Sequence, residues 1–357
     1  MYKLKNTLKL MALFLTGVTA VQAQETSSTT FAGNADFYYR FDFANAGDSN
    51  VTNNYTSFTN SHDSFELGMA TIKANHKMGK ASFFADLGFG TRAKEFTYND
   101  PGESFMIKQL NMTYDFSDKF KLTAGAFATH LGYELVDAAD NKNYSMSYAF
   151  TNGPFFNTGV KAQYTSGDFA FMLGVTNPTD FKTATKAGSN QKTVIGQIAY
   201  TIKDGLISLN FTKGSNNPKL INNQQIDLVA SKKINEKFSL GFNGTYATVS
   251  SDLPGAADAN WFSILAYVQY AASKSTSLHY RLEYFNYDKG ALLGTQIPID
   301  NNSIIGNTLS LNFKEGRFTF IPELRLDLAS KNTFTKNNAG DPSKTASSIL
   351  FATTYSF

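Results

Sequence analysis

Cysteine is absent from this chain of 357 residues, and tryptophan (one), histidine (four) and proline (eight) are scarce. Without thiols the protein cannot form disulfides, cysteine-ligated metal sites or a cysteine-linked lipid anchor. An excess of charge of one sign is also missing, because Lys and Arg total 32 against 29 for Asp and Glu, and three of the lysines lie within the first nine residues. This balance lacks the basic footprint of nucleic-acid-binding proteins and excludes that class.

Long apolar runs are missing as well. After the N-terminal segment no run approaches the ~18 residues that indicate a membrane-spanning helix. The N-terminal run, Leu10–Val18, follows three lysines and precedes the small-x-small pattern Val21-Gln22-Ala23. It is too short to span a bilayer, which makes an N-terminal membrane helix the weaker alternative. We therefore predict a signal peptide over residues 1–23, cleaved after Ala23, and an exported chain over 24–357 with a single domain.

Alternation of apolar and polar residues with period two fills the rest of the chain. In residues 278–284, Leu and Tyr occupy every second position and His, Arg and Glu occupy the positions between them. On a strand, such apolar residues share one face, whereas on a helix they would scatter over two sides. Sixteen runs of this kind are predicted to be strands: 33–43, 63–78, 81–94, 104–116, 119–128, 155–165, 168–177, 192–202, 206–213, 224–233, 237–249, 260–272, 276–288, 303–313, 317–329 and 346–357.

The connections between these strands alternate strictly between short and long. Seven contain two or three residues and fit tight hairpins, and eight are much longer, of which residues 129–154, here called the third loop, are the longest. This rhythm is typical of an up-and-down antiparallel meander and not of a Greek-key sandwich. Because open strand edges cannot be hydrogen-bonded in hydrocarbon, the meander must close. We predict an all-β, transmembrane antiparallel up-and-down β-barrel of about 16 strands, with short periplasmic turns and long extracellular loops.

The two faces of these strands differ in chemistry. At the C terminus, Phe351, Tyr355 and Phe357 alternate with small residues, so we expect the aromatic set to face lipid. A terminal Phe preceded two places earlier by Tyr resembles the signature that the outer-membrane assembly machinery reads. Charged residues on the opposite faces could not pack in a dry core, so we expect them to line a wet interior. The predicted inner positions are Asp36, Arg40, Asp42, Asp86, Arg92, Asn243, Thr245, Gln269, Arg281, Glu283, Ser310, Asn312, Arg317, Glu323, Arg325 and Asp327.

Residues 124–164 carry a resemblance to a known family. This segment contains Gly132, Glu134, Asn143-Tyr144-Ser145 and Thr158-Gly159 in an arrangement similar to that of the OmpL-like beta-barrel porins of Gram-negative bacteria. The resemblance implies a diffusion channel in the outer membrane. The sequence departs from the family pattern at two positions: Met146 stands where Arg is expected, and Asn157 where His is frequent. The absence of an arginine at position 146 weakens any expected preference for anions.

The third loop is the predicted constriction. In porin-like barrels the corresponding loop folds into the lumen, and here it contains three acids, Glu134, Asp137 and Asp140. We expect these acids to face arginines of the inner wall and to create a transverse field across the pore. The alternative is that the acids are solvated and the arginines pair locally with acids on their own strands. The predicted arginines are Arg40, Arg92, Arg281 and Arg325.

Catalysis and metal binding are not expected. The four histidines are far apart in sequence, and no nucleophile-elbow pattern is present. Ser277 and His279 share a strand face, but a Ser and a His two positions apart on a strand are expected by chance. Metal-binding motifs are also missing, so neither a metal nor a cofactor is predicted.

Because about sixteen strands leave an aqueous channel, whereas about eight do not, we predict a passive pore for ions and small hydrophilic solutes. Two rivals remain open: a channel specific for an anion or a sugar, the latter with Tyr38, Trp261 and Tyr267 as a candidate track, and a plugged barrel with a structural or adhesive role. The expected partners are outer-membrane lipid, the permeating solutes, the assembly machinery through Phe357 and, as one candidate, two further copies in a homotrimer.

Overall fold

The structure is a computed structural model that describes residues 27–44, 53–100, 106–183, 191–216, 221–251, 258–289 and 297–357. The predicted signal peptide, residues 1–23, lies outside the described residues and stays a prediction. Within the described part of the chain, no helix has both the length and the apolar composition needed to cross a bilayer.

Sixteen long strands form the body of the protein, and a ribbon of two strands, each of two residues, lies in the last loop. The strands are β1 Ser27–Asp42, β2 Ser64–Met78, β3 Ala81–Phe89, β4 Ile107–Asp115, β5 Phe120–Ala128, β6 Phe156–Ser166, β7 Phe169–Thr176, β8 Thr193–Ile202, β9 Gly205–Asn216, β10 Ile221–Lys233, β11 Phe238–Ser251, β12 Ala259–Ala271, β13 Thr276–Tyr287, β14 Asn302–Glu315, β15 Phe318–Ala329, the ribbon β16 Phe334–Thr335 and β17 Pro342–Ser343, and β18 Thr345–Ser356. The described loops contain α1 Thr91–Phe96, a 3₁₀ turn Ala138–Asp140 and α2 Tyr148–Asn152.

The long strands close into one antiparallel barrel. Each pairs with its neighbours in the chain, and β1 completes the ring by pairing with β18, where Asp36 lies opposite Thr354. At the C terminus, Phe357 exchanges two backbone hydrogen bonds with Gly33, of 3.0 and 3.1 Å. Closure gives every strand two partners, which is the condition for a sheet inside hydrocarbon. The predicted sixteen-stranded up-and-down barrel is confirmed.

The outer face of the barrel is apolar. On β7, the side chains of Phe169, Phe171, Leu173 and Val175 are between 41% and 60% exposed, whereas the intervening Met172 is 7% exposed. The alternation of side chains along the strand therefore places the apolar residues on the outer face of the barrel. Exposed apolar rows of this kind continue around the barrel, and such a surface is compatible with lipid and not with water.

Two β-bulges interrupt the alternation in the strands predicted at 63–78 and 104–116, where the neighbours Ile72 and Lys73, or Ile107 and Lys108, compete for one face. Strand β4 carries one extra residue, Lys108, between the residues that pair with Asp86 and Leu87. Strand β2 carries one extra residue between those that pair with Ala35 and Phe37. A bulge shifts the alternation by one position, so the strict period of two fails there and Lys108 turns into the interior.

The predicted strand over residues 81–94 is too long. Strand β3 ends at Phe89, because Gly90 takes a positive φ of 115° and a Cβ at this position would lie 2.6 Å from a backbone oxygen of Gly68. Helix α1 follows, so Arg92 reaches the interior from a helix and not from a strand. One inner-wall prediction is wrong: Arg317 is exposed in the tight turn between β14 and β15.

Candidate functional site

The third loop crosses the inside of the barrel. After β5 its first residues run along the inner faces of β10 to β12, where the backbone N–H of Gly132 donates to Asp227 over 3.0 Å. The ring of Tyr133 then stacks on that of Tyr267, with the centroids 4.2 Å apart. These contacts hold the start of the loop against the wall.

Glu134 anchors the loop by a buried ion pair. Its carboxylate pairs with the Arg281 guanidinium, and both side chains are at most 6% exposed. The same carboxylate accepts hydrogen bonds from the backbone N–H of Ser147, at 2.9 Å, and from its hydroxyl, at 2.7 Å. Because the Ser147 hydroxyl also caps α2 by accepting from the N–H of Phe150, Glu134 joins the wall, the loop and the helix N-terminus.

Two wall carboxylates hold the loop backbone. Glu323 accepts from the N–H groups of residues 144–145, at 2.7 and 3.1 Å. Glu283 accepts from those of residues 148–149, both at 2.8 Å. Hydrogen bonds to an ionised acceptor are stronger than neutral ones, and each carboxylate here receives two from the loop backbone.

Two arginines bind the carbonyl groups between these positions. Arg281 donates to the carbonyl of Ser145 over 2.6 Å, and Arg325 donates to that of Met146 over 2.7 Å. The Arg325 guanidinium also pairs with Asp327 at 3.0 Å. Acids on N–H groups and arginines on carbonyls together fix the loop backbone at the wall.

Two tyrosines complete this attachment. The hydroxyl of Tyr144 donates to Asp36 over 2.5 Å, and that of Tyr148 donates to Asp327 over 2.9 Å. Burial, followed by the nearby carboxylates, raises the pKa of both phenols well above the ordinary value, so both remain donors. Arg92 stacks above the Tyr144 ring, 5.0 Å from its centroid.

The other two loop acids face lysines, which corrects the expectation that they face arginines. Asp137 pairs with Lys108 and, at 2.6 Å, with Lys73. Burial alone would raise the pKa of Asp137, but the two ammonium groups outweigh it and hold the pKa below its ordinary value. Asp140 lies 3.7 Å from Lys73 with its side chain 49% exposed.

The remaining two predicted arginines bind backbone carbonyl groups and not the loop acids. Arg40 donates to the carbonyl of Ser61 over 2.9 Å, and Arg92 donates to that of Val136 over 3.3 Å. Among the described residues, the only ion pair that joins a predicted loop acid to a predicted arginine is therefore the one between Glu134 and Arg281.

The candidate aromatic track for sugars is covered. Tyr38, Trp261 and Tyr267 are at most 8% exposed. Their rings pack against those of other residues: Tyr144 lies 5.5 Å from Tyr38, and Phe285 lies 5.5 Å from Trp261. The rings stabilise the third loop and the wall, and they form no open slide.

Ser277 and His279 do come together, with the Ser277 hydroxyl 2.7 Å from Nε2 of the ring. In the described part of the chain the other ring nitrogen, Nδ1, has no hydrogen-bond partner. The pair thus lacks the third group that orients a catalytic histidine.

The interior has two sides. The charged wall comprises the charged inner residues of β1 to β4 and β13 to β15, most of which hold the third loop. The amide wall comprises the inner residues of β6 to β11, which are mostly hydroxyls and amides. The charged wall contains Asp36, Arg40, Asp42, Lys73, Asp86, Lys108, Arg281, Glu283, Glu323, Arg325 and Asp327. The amide wall contains Asn157, Thr176, Thr193, Gln197, Ser208, Asn210, Thr212, Gln225, Asn243 and Thr245, together with two charged residues, Lys161 and Asp227.

A cavity of about 380 Å³ lies beside the amide wall. It lies between the end of the third loop, at residues 151–155, and the long-loop ends of β8 to β12. Trp261 lines one edge and Tyr98, which is 60% exposed, lines another. The third loop therefore narrows the barrel asymmetrically.

Solved outer-membrane proteins share this architecture. The structure is similar to OmpT of Vibrio cholerae (TM-score 0.60, 12% identity, covering 95% of this chain and 100% of that chain). It is also similar to an anion-selective porin from Comamonas acidovorans, with a TM-score of 0.61, 12% identity and coverage of 93% of this chain and 100% of that chain. A third similar structure is the outer membrane channel DcaP of Acinetobacter baumannii, with a TM-score of 0.60, 10% identity and coverage of 95% of this chain and 100% of that chain. At these identities the likeness shows the fold alone.

Sequence comparison is informative at the level of the family. No individually curated protein sequence matches this chain. A family model does match, over residues 28–357, and its description is "Putative beta-barrel porin-2, OmpL-like". The match covers the whole barrel, with the residues that fix the third loop. The chain belongs to this OmpL-like family of beta-barrel porins, which places it in the outer membrane of a Gram-negative bacterium.

Proposed function

We propose that this protein is a passive diffusion channel for ions and small hydrophilic solutes, with the third loop as its constriction. The observation that carries the proposal is a closed ring of sixteen strands with an apolar outside and a polar inside, because barrels of that size enclose an aqueous channel. The porin family and the porin folds support a channel in preference to an enzyme.

The constriction follows from the attachments of the third loop. Its backbone is tied to Glu283, Glu323, Arg281 and Arg325, so the loop holds its position against the charged wall. Permeation is then confined to the side of the amide wall. Glu134 and Asp137 act by holding the loop in place, and the half-exposed Asp140 contributes a charge to the solution inside the barrel.

The proposed partners are the outer-membrane lipid, the assembly machinery and two further copies of this chain. The exposed Phe357 is proposed as the contact for the assembly machinery, and the exposed apolar rows contact lipid. A homotrimer is proposed because one solved OmpT of Vibrio cholerae with the same fold is described as a trimer form.

The test is conductance of the full-length protein in planar bilayers, together with release of an entrapped small sugar from liposomes. A channel gives ohmic conductance and sugar release. A folded protein, judged by heat-modifiable gel mobility, that gives neither would be a plugged barrel, and the proposal would be rejected.

A further inference from the structure

The cavity beside the amide wall has a distinctive lining. Side chains with hydroxyl or amide groups predominate, and no described residue that lines it is Lys or Arg. Groups of this kind can both donate and accept hydrogen bonds, as sugar hydroxyls do. Representative members are Ser57, Asn60, Thr151, Thr212, Gln225 and Thr248.

Two carboxylates also line the cavity, but their oxygens already have partners. Glu95 accepts from the amide of Asn60 over 3.0 Å. Asp180 accepts from the backbone N–H of Phe155 over 2.7 Å and from the hydroxyl of Tyr98 over 3.1 Å. These bonds restrict the carboxylates as cation ligands, while their charge still repels anions.

One buried group in the lining has no partner. Thr212 lies on the inner face of β9 and is 6% exposed, and within the described structure its hydroxyl makes no hydrogen bond. Buried polar groups are nearly always paired, so such a hydroxyl points to a ligand or water that completes it. Trp261, which is 2% exposed, also borders the same cavity.

We infer that this cavity binds a neutral polyhydroxylated solute of sugar size during its passage. The inference rests on the proposed channel function and names the class of solute that the channel favours. A volume of about 380 Å³ lies within the ~300–1,000 Å³ that is usual for small-molecule sites. The chemistry of the lining favours hydroxyl groups, and the absence of Lys and Arg among its described residues leaves an anion without a counter-charge.

The first experiment compares two probes of similar size and different charge. Single-channel current of the full-length protein is recorded while glucose or gluconate is titrated from the long-loop side. Saturable current reduction by glucose, with an apparent affinity at least tenfold higher than that for gluconate, supports the inference. Equal effects, or no effect of either probe on a conducting channel, would overturn it. A protein without conductance would instead contradict the proposed channel function.

The second experiment locates the site. Thr212→Val removes the hydroxyl at nearly constant volume and should weaken the glucose affinity three- to tenfold, the loss expected for one neutral hydrogen bond. The matched control is Thr123→Val, on the inner face of β5 and outside the cavity lining, which should leave that affinity unchanged. Both variants must show heat-modifiable mobility. An unchanged affinity in the Thr212 variant, or an equal loss in both, would refute this site.

Discussion

The charged wall and the amide wall belong to one sheet, yet they use their side chains in opposite ways. On the charged wall, each acid and arginine that touches the third loop binds a backbone group or an opposite charge. On the amide wall, neutral groups such as Thr212 and Gln225 line open space. The comparison shows that most charges inside this barrel hold the third loop in place, while the side that borders the cavity is largely neutral.

The difference has an energetic cause. A buried charge is tolerated only when it is paired and hydrogen-bonded. The third loop supplies these partners for the buried charges of the charged wall, and the same contacts hold the loop in place. Neutral hydroxyls and amides can exchange their partners for water at little cost. Loop attachment and solute passage can therefore be changed separately, by substitutions on different strands.

The largest effect is expected from removal of the attached segment. Deletion of residues 134–146, with Tyr133 joined to Ser147, takes away the part of the loop that crosses to the charged wall, so single-channel conductance should rise severalfold. The control is deletion of residues 337–340, at the tip of the β16–β17 ribbon, which should leave conductance near that of the wild type. A folded 134–146 deletion with unchanged conductance would contradict the role of the third loop.

A smaller but clear effect is expected from Arg281→Met. The substitution leaves Glu134 buried without its partner, and breaking such a pair costs about 3–5 kcal/mol. The loop should detach intermittently, which would appear as increased open-channel noise and as faster proteolytic cleavage of the third loop.

The matched double variant tests the cause of that detachment. In Arg281→Met with Glu134→Gln no buried carboxylate is left unpaired, so noise and cleavage should return most of the way to the wild-type level. Equal noise in the single and double variants would mean that the ion pair is not what anchors the loop.

An intermediate effect concerns pH. In the wild type, Lys73 and Lys108 hold the pKa of Asp137 below its ordinary value. The ion pairs of Asp137 therefore stabilise the attached loop at any pH above the ordinary pKa, and this stabilisation is lost only as pH falls through the lowered pKa. With Lys73→Met and Lys108→Met, burial is no longer offset and the pKa should rise above the ordinary value. Because a buried carboxylate without a counter-charge is disfavoured once it ionises, loop detachment in the double variant, measured as current noise, should increase as pH rises through the raised pKa, whereas the wild type should show no such increase.

The control for this titration is Asp137→Asn, which removes the titrating group. Adding Asp137→Asn to the two lysine substitutions should abolish the additional pH dependence. A pH profile that the asparagine leaves unchanged would assign the transition to another group.

These comparisons also separate what the sequence predicts from what it leaves open. Strand number and face were predictable because the pleat repeats every two residues and each strand carries its own pattern of apolar side chains. The inward position of Lys108 was not, because a bulge depends on the register with the partner strand. Arg92 was placed on a strand because a single Gly90 does not reveal that the strand stops there.

Pairing inside the barrel was harder to predict than the barrel itself. The pair between Glu134 and Arg281 joins residues far apart in the chain, and the sequence indicates it only through the opposite charges of the two residues. The sequence does not indicate that Asp137 pairs with lysines, since nothing in an alternating pattern ranks one inner cation above another. The signal that could have identified Lys73 and Lys108 is their occurrence in the two strands whose alternation is irregular.

The smallest expected effect is a pH-dependent change of selectivity on the side of the amide wall. Burial raises the pKa of Asp180 to about 6, so this carboxyl group is mostly neutral at pH 5 and ionised at pH 7.5. Cation preference, measured as the reversal potential in a KCl gradient, should therefore increase slightly from pH 5 to pH 7.5. Asp180→Asn should remove that part of the change, because the amide does not titrate. If the variant and the wild type shift equally, the charge that solutes sense in the amide-wall cavity comes from another carboxylate, with Glu95 the next to test.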